Sequence, residues 1–255
     1  MRQDAVELDR FYATRRGQAA ERLMLNRIGA LWPSFTGLDV LGLGFATPLL
    51  DGLPQGARRM VAAMPASQGA VIWPPAGKSR TALTEEVRLP FADAQFDRVI
   101  ALHALEDAES PQALLREVWR VTAPEGRVVF AVANRSGLWA RTDATPFGHG
   151  RPWSRRQLGA LLGEGMFEVT HWTRTLFAPP FSWCCGPRGS DVWEAIGGKL
   201  FPGFGGVLMV EAVKRVGGMT PRAVKVSPAR VRGLEGAPAP ALSRSRFSSN
   251  PRKTR

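Results

Sequence analysis

The chain has 255 residues, of which 44% are hydrophobic and 22% charged, and its net charge is +12. That is length for one globular domain with a substantial core, and too apolar a composition for a wholly disordered chain. Gly, Pro or charged residues break every long apolar stretch before the roughly 18 residues a membrane span needs, and the opening MRQDAVELDRFYATRRGQ lacks the apolar centre of a secretory signal. No transmembrane helix and a cytoplasmic location are expected. Cys184 and Cys185 are adjacent, a poor arrangement for a bridge, and the histidines, His103, His149 and His171, are too scattered for a zinc site. No metal is expected.

Apolar residues at helical spacing (Leu8, Phe11, Tyr12, Leu23, Leu25 and Ile28) predict one or two amphipathic helices in an N-terminal segment, 1–35. LDVLGL then reads as a strand, ended by the turn at Gly44. Thr47 is placed to cap the helix that follows, with Pro48 in its first turn. RRMVAAM, Arg58 to Met64, is a second strand closed by Pro65. WPPAGKSR is a loop, and TALTEEVRLPF is a short strand followed by a turn.

The next stretch is the most informative. FDRVIALHAL is an apolar strand, SPQALLREVWRVTAPEG a helix opened by Ser110-Pro111, and GRVVFAVAN an apolar strand again. Strand, helix and strand with short connections predict a parallel crossover, and nearly unbroken apolar strands predict a sheet covered on both faces. After it come a polar loop with TPFGHGRPW, a helix opened by Ser154, the strand FEVTHWTRTLF, a Pro/Trp/Cys-rich loop, a short helix around VWEAIGGKL and the last strand GVLMVEAVKRV.

Residues 216–255 are rich in Pro, Ser, Gly and Ala, and nine basic residues stand there against Glu235 alone, so +8 of the net +12 belongs to this segment. Such a composition predicts a disordered basic tail. It reads either as an electrostatic arm for nucleic acid or an acidic membrane, or as a solubilising extension.

The order of these elements and the wording of Leu89 to Ala140 resemble the class I S-adenosylmethionine-dependent methyltransferases, specifically the type 11 methyltransferase-domain family. The pieces Leu-Pro-Phe, Phe-Asp-Arg-Val, Leu-Glu, Leu-Leu-Arg-Glu-Val and Pro-Glu-Gly carry the likeness, which in weaker form spans 36–215. It implies an α/β fold with a doubly wound, mostly parallel seven-stranded sheet, S-adenosylmethionine as cofactor, and transfer of its methyl group to an acceptor the residues do not identify.

The resemblance also implies a cofactor crevice at the carboxyl ends of the first strands. It assigns Gly42, Gly44, Met64, Glu85 and His103 to that crevice and no residue to catalysis. Against the family's glycine pattern, only Gly44 stands in place. Gly42 occupies the acid position, Ala46 and Pro48 replace glycines, and Met64 stands where an acid meets the ribose. A methyl group at a position of positive φ, a lost N–H and a lost ribose acceptor together predict cofactor affinity weakened by about two orders of magnitude or more.

Glu85 falls where the family's acid meets the adenine amino group, and is otherwise a surface acid beside Glu86. His103 is either a packed histidine at a strand end or a cleft residue, while Glu106 and Asp107 read as the start of the next loop. Asn134, Arg135, His149, Arg151 and Trp153 are the candidates on the acceptor side, with a purely structural loop as the other reading. A methyltransferase with a small-molecule or macromolecular acceptor is therefore expected. The alternative is an inactive binding module of the same fold, touching nucleic acid through 216–255. A dinucleotide oxidoreductase is disfavoured, because GLGFATP lacks the third glycine and Met64 stands near the acid position.

Overall fold

Two helices precede the sheet. Asp4 caps α1 (Ala5–Tyr12) by accepting from Val6 N at 2.7 Å, and Thr14 caps α2 (Arg15–Leu31) by accepting from Gly17 N at 3.2 Å. The corner between them is tight: a Cβ on Gly17 would lie 2.1 Å from the Phe11 carbonyl oxygen, so a side chain there would push the helices apart. This computed structural model describes residues 3–181 and 184–216, and the expected basic tail lies, but for Val216, outside the described residues.

The strands are β1 (Asp39–Gly44), β2 (Arg59–Pro65), β3 (Thr81–Thr84), β4 (Phe96–Leu102), β5 (Thr122–Ala133), β6 (Phe167–Thr175) and β7 (Val207–Lys214). They form one sheet in the order β3-β2-β1-β4-β5-β7-β6, parallel except that β7 runs antiparallel to both neighbours. Helix α3 (Thr47–Asp51) follows β1, α4 (Pro111–Val121) makes the predicted crossover between β4 and β5, α5 (Arg155–Glu164) precedes β6, and α6 (Pro187–Leu200) precedes β7. Ser110 caps α4, and Ser154 forms a reciprocal capping box with Gln157 on α5, as their sequences anticipate. At α3 the cap is Ala46 rather than Thr47, without a side-chain hydrogen bond, and Pro48 still lies in the first turn.

The two faces of the sheet bury separate cores, and the two-residue alternation of the strands sorts side chains between them. Val40, Ile100, Leu102, Val129, Ala131 and Met209 pack with α1, α2 and α3. Leu41, Leu43, Val99, Phe130, Val132 and Val210 pack with α4 and α5. Each fully buried Leu, Ile or Phe contributes about 1.5–3 kcal/mol. At the antiparallel end the buried carboxylate of Glu211 accepts from Trp32 Nε1 at 2.7 Å, Arg127 Nη1 at 2.9 Å and Thr170 Oγ1, tying the end of α2 to the sheet. Burial raises the Glu211 pKa, but these donors outweigh it and hold the group below the usual value.

Candidate functional site

In open α/β sheets ligands settle at the carboxyl ends of the strands, beside the point where the strand order reverses. Here that point lies between β1 and β4. Gly44 turns the chain out of β1 with φ of +77°, and Phe45 N donates to the Leu102 carbonyl at 2.8 Å. The whole segment from Gly42 to Thr47 is buried, as are Met64 at the end of β2 and His103 at the end of β4.

What covers this edge comes from two places. The backbone N–H of Ala5 donates to Gln68 O at 2.9 Å, which seats the start of α1 on the loop after β2. From there Tyr12 stacks on Phe45 with ring centroids 6.0 Å apart, and its hydroxyl shares a 2.9 Å hydrogen bond with His103 Nε2. Phe147, from the loop before α5, closes the other side at 4.8 Å from the His103 ring and meets Phe11 edge-on. That loop is pinned as well: Arg151 N donates to Glu106 O at 2.8 Å, and Gly150, at φ +70°, lies so close that a Cβ would sit 2.5 Å from Asp107 Oδ1.

Three titratable side chains are buried here, Tyr12, His103 and Glu106. Burial pushes the His103 pKa down to about 3, so the imidazole is neutral at physiological pH. Burial also pushes Glu106 up to about 7, against backbone N–H groups, chiefly that of Ala133, which favour its charge. Glu106 Oε1 accepts from Ala133 N at 2.9 Å, whereas Oε2 is buried without a hydrogen-bond partner among the described residues. Burial, then the Glu106 charge, raise Tyr12 well above the ordinary phenol value. In this closed arrangement the histidine, with its pKa lowered to about 3, is too weak a base to hold a proton at neutral pH, and the phenol stays protonated there. Glu106, poised near 7, is the group able to take or give a proton.

The residues expected from the sequence have varied placements. Gly42 lies inside β1, where a Cβ would press on Leu50 at 2.7 Å, and Met64 is packed in the core with Val71 N donating to its sulfur at 3.4 Å. Glu85 is exposed just beyond β3. Asn134 is buried and donates through its side-chain amide to the carbonyls of Gly203 and Gly205 at 3.0 and 2.6 Å. Asn134→Ala is expected to destabilise the chain by about 1–3 kcal/mol in urea titration, because it leaves those carbonyls without their donor. Arg135 is exposed. His149 bonds the Asp143 carbonyl at 3.1 Å through Nε2, and Arg151 lies over the Trp153 ring at 5.1 Å. Trp153 itself packs with Leu158 and Leu162 in the core beneath α5. Of the ten, His103 alone joins the buried cluster. Tyr12, Glu106 and Phe147 complete it. Tyr12 was legible only as an apolar helix position and Glu106 only as a loop residue. Ala46 has φ −90°, so the strain expected there from its methyl group does not arise.

Residues 42–130, which run from β1 into β5 and include Met64, His103 and Glu106, match a family model described as "Methyltransferase domain". Over that stretch the chain is similar to methyltransferases, and its sheet has the Rossmann-like fold of the S-adenosylmethionine-dependent ones. Solved methyltransferase structures share its fold at low identity. A SAM-dependent methyltransferase from Archaeoglobus fulgidus is 17% identical over 82% of this chain and 98% of that one, with a TM-score of 0.56. A SAM-dependent methyltransferase from Thermotoga maritima, described as a possible histamine N-methyltransferase, is 16% identical over 82% and 95%, with a TM-score of 0.54. A putative methyltransferase solved in complex with the Haloferax volcanii Trm112 methyltransferase activator is 18% identical over 82% and 96%, with a TM-score of 0.56. No curated protein sequence matches the chain.

S-adenosylmethionine is the cofactor that this family and fold imply. In the closed arrangement the residues of the methyltransferase domain do not fit it. The space beside Gly44 is filled by the Leu102 carbonyl and by Ala104, that beside Gly42 by Leu50, and Tyr12, Phe45 and Phe147 fill the edge above them. Two surface hollows of about 530 Å³ lie elsewhere, one at the amino ends of β2 and β3 around Arg58, Arg59 and Arg80, the other beside α2 and Cys185. Among the described residues no helix is long and apolar enough to cross a membrane.

Proposed function

We propose that this chain methylates an acceptor from a state in which α1 has moved off the carboxyl edge of the sheet, and that Glu106 is the acid–base group on the acceptor side. The observation that carries this reading is the coincidence of the family match with the strand-order reversal beside which His103 and Glu106 are buried. Helix α1 is short. Besides the packing of its buried Ala5 and Leu8, its cover over the site is the Tyr12 hydroxyl bond, a few ring contacts and the Ala5 to Gln68 bond, and local opening would break these without global unfolding.

A second reading is favoured by the filled glycine spaces: a binding module of methyltransferase ancestry that no longer takes the cofactor. Calorimetric titration with S-adenosylhomocysteine separates the two. The methyltransferase reading expects weak binding by the native chain and roughly tenfold tighter binding by Tyr12→Ala, because breaking the latch raises the fraction of competent molecules. If neither protein binds at millimolar ligand, the methyltransferase reading falls and the binding module stands.

A further inference from the structure

Helix α6 turns an apolar stripe to the outside. Val192, Ile196 and Leu200 recur every four residues and so line one side of the helix, with Trp193 beside them. All four are exposed, Leu200 by 67%, and Phe201 and Phe204 continue the stripe past the helix end at 58% and 54%. The last two rings touch edge-on, 6.4 Å apart.

The helix cannot roll this stripe inward, because its opposite side is fixed. Gly197 is pressed against Phe177, where a Cβ would lie 2.5 Å from the Phe177 Cβ, and Ser190 is buried. Glu194 accepts from Phe177 N at 3.0 Å and from Thr175 Oγ1 at 3.1 Å. Singly exposed apolar residues need no explanation, but a continuous run of six on one helix and its extension marks a surface that meets something.

The charges around the stripe indicate what it meets. The acids of α6, Asp191 and Glu194, are each neutralised by an arginine of α2, Arg22 at 2.7 Å and Arg27 at 2.9 Å. Lys199 is the other charged residue of the helix among the described side chains, and the chain as a whole carries +12, of which +8 belongs to 216–255. Trp, Phe, Leu and Ile on one face, acids paired with arginines and a strongly basic chain suit a helix that lies in the headgroup region of an anionic bilayer. Tryptophan and phenylalanine rings have apolar bodies suited to that interface.

We propose that α6 and the Phe201–Phe204 turn form a peripheral docking surface for an anionic lipid membrane, with the Val192, Trp193, Ile196, Leu200, Phe201 and Phe204 side chains entering the headgroup boundary. This surface acts independently of whether the sheet edge binds a cofactor.

The test uses the full chain in co-sedimentation with phosphatidylcholine vesicles and with mixed phosphatidylcholine–phosphatidylglycerol vesicles, comparing wild type with Ile196→Glu/Leu200→Glu. Both positions are exposed, and circular dichroism melting verifies that the fold is kept. Wild type is expected to bind the anionic vesicles and not the neutral ones, and the double variant to lose binding by roughly tenfold or more. Trp193→Phe is expected to keep binding while losing part of the blue shift in tryptophan emission that accompanies it. Equal binding by wild type and double variant would assign the effect to cationic residues alone and overturn the proposal. So would failure of wild type to bind, or a wild-type dimer that the double variant converts to monomer, since a second copy would then cover the stripe.

Discussion

Gly44→Ala is expected to destabilise the chain by about 2–5 kcal/mol. Two costs combine at this position. The backbone has φ of +77°, where a side chain costs about 1–2 kcal/mol. The new Cβ would also lie 2.3 Å from the Leu102 carbonyl oxygen and 3.0 Å from the Ala104 Cβ, and because the first contact is backbone, β1 and β4 must shift to relieve it, at about 1–3 kcal/mol. Gly29→Ala is the matching control. Gly29 lies in α2 with nothing near a built Cβ, and the substitution is expected to stabilise by about 0.5–1 kcal/mol. Urea unfolding of the two variants reads both signs. A neutral Gly44→Ala would show that the turn after β1 has room that its neighbours deny here.

Glu106→Gln is expected to raise stability above neutral pH. The folded-state pKa of Glu106 is about 7 against an ordinary 4.5, so the folded chain holds this proton where the unfolded chain has lost it. Its contribution is therefore greatest below the ordinary value and declines as pH rises to about 7, by as much as about 3 kcal/mol at about 1.4 kcal/mol per pH unit. Glutamine removes the buried charge and with it the decline. His103 acts in the opposite sense: with a folded value of about 3 against 6.5, its contribution is complete above 6.5 and is lost as pH falls through the range between the two. In the native chain the two dependences oppose one another between 4.5 and 6.5, whereas Glu106→Gln exposes the histidine term alone. Denaturation midpoints across roughly pH 4 to 8 test this. A variant less stable than wild type at the alkaline end would mean that the carboxylate has a partner and that the cluster is not the unpaired one described.

Most of the fold could be read from local wording, and the site could not. Ser110-Pro111 and Ser154 with Gln157 announce α4 and α5 because capping is settled within four residues. The apolar runs of β4 and β5 announce a parallel crossover because burial on both faces leaves no alternation to read. Helix α6 starts earlier than its sequence suggests, at Pro187, since Gly189, Gly197 and Gly198 weaken any helical pattern. The lock on the sheet edge rests on Tyr12 and His103, 91 positions apart, and no local periodicity connects them. An amphipathic helix reveals that it has a buried face but not which surface that face covers. Trp153 shows the same limit, since a loop tryptophan before a capping serine reads equally well as an anchor over a cleft and as a plug beneath α5.

The placement of β7 sets an order on biogenesis. The last strand among the described residues is not an edge strand: it fits between β5 and β6, each hydrogen-bonded to it along most of its length. Until Lys214 is synthesised, β5 has no partner on that side and β6 has no sheet to join, so the emerging polypeptide carries Val129, Ala131 and their neighbours with an unzipped flank. Translational pausing upstream of Val207 would hold the nascent chain in its most chaperone-dependent form.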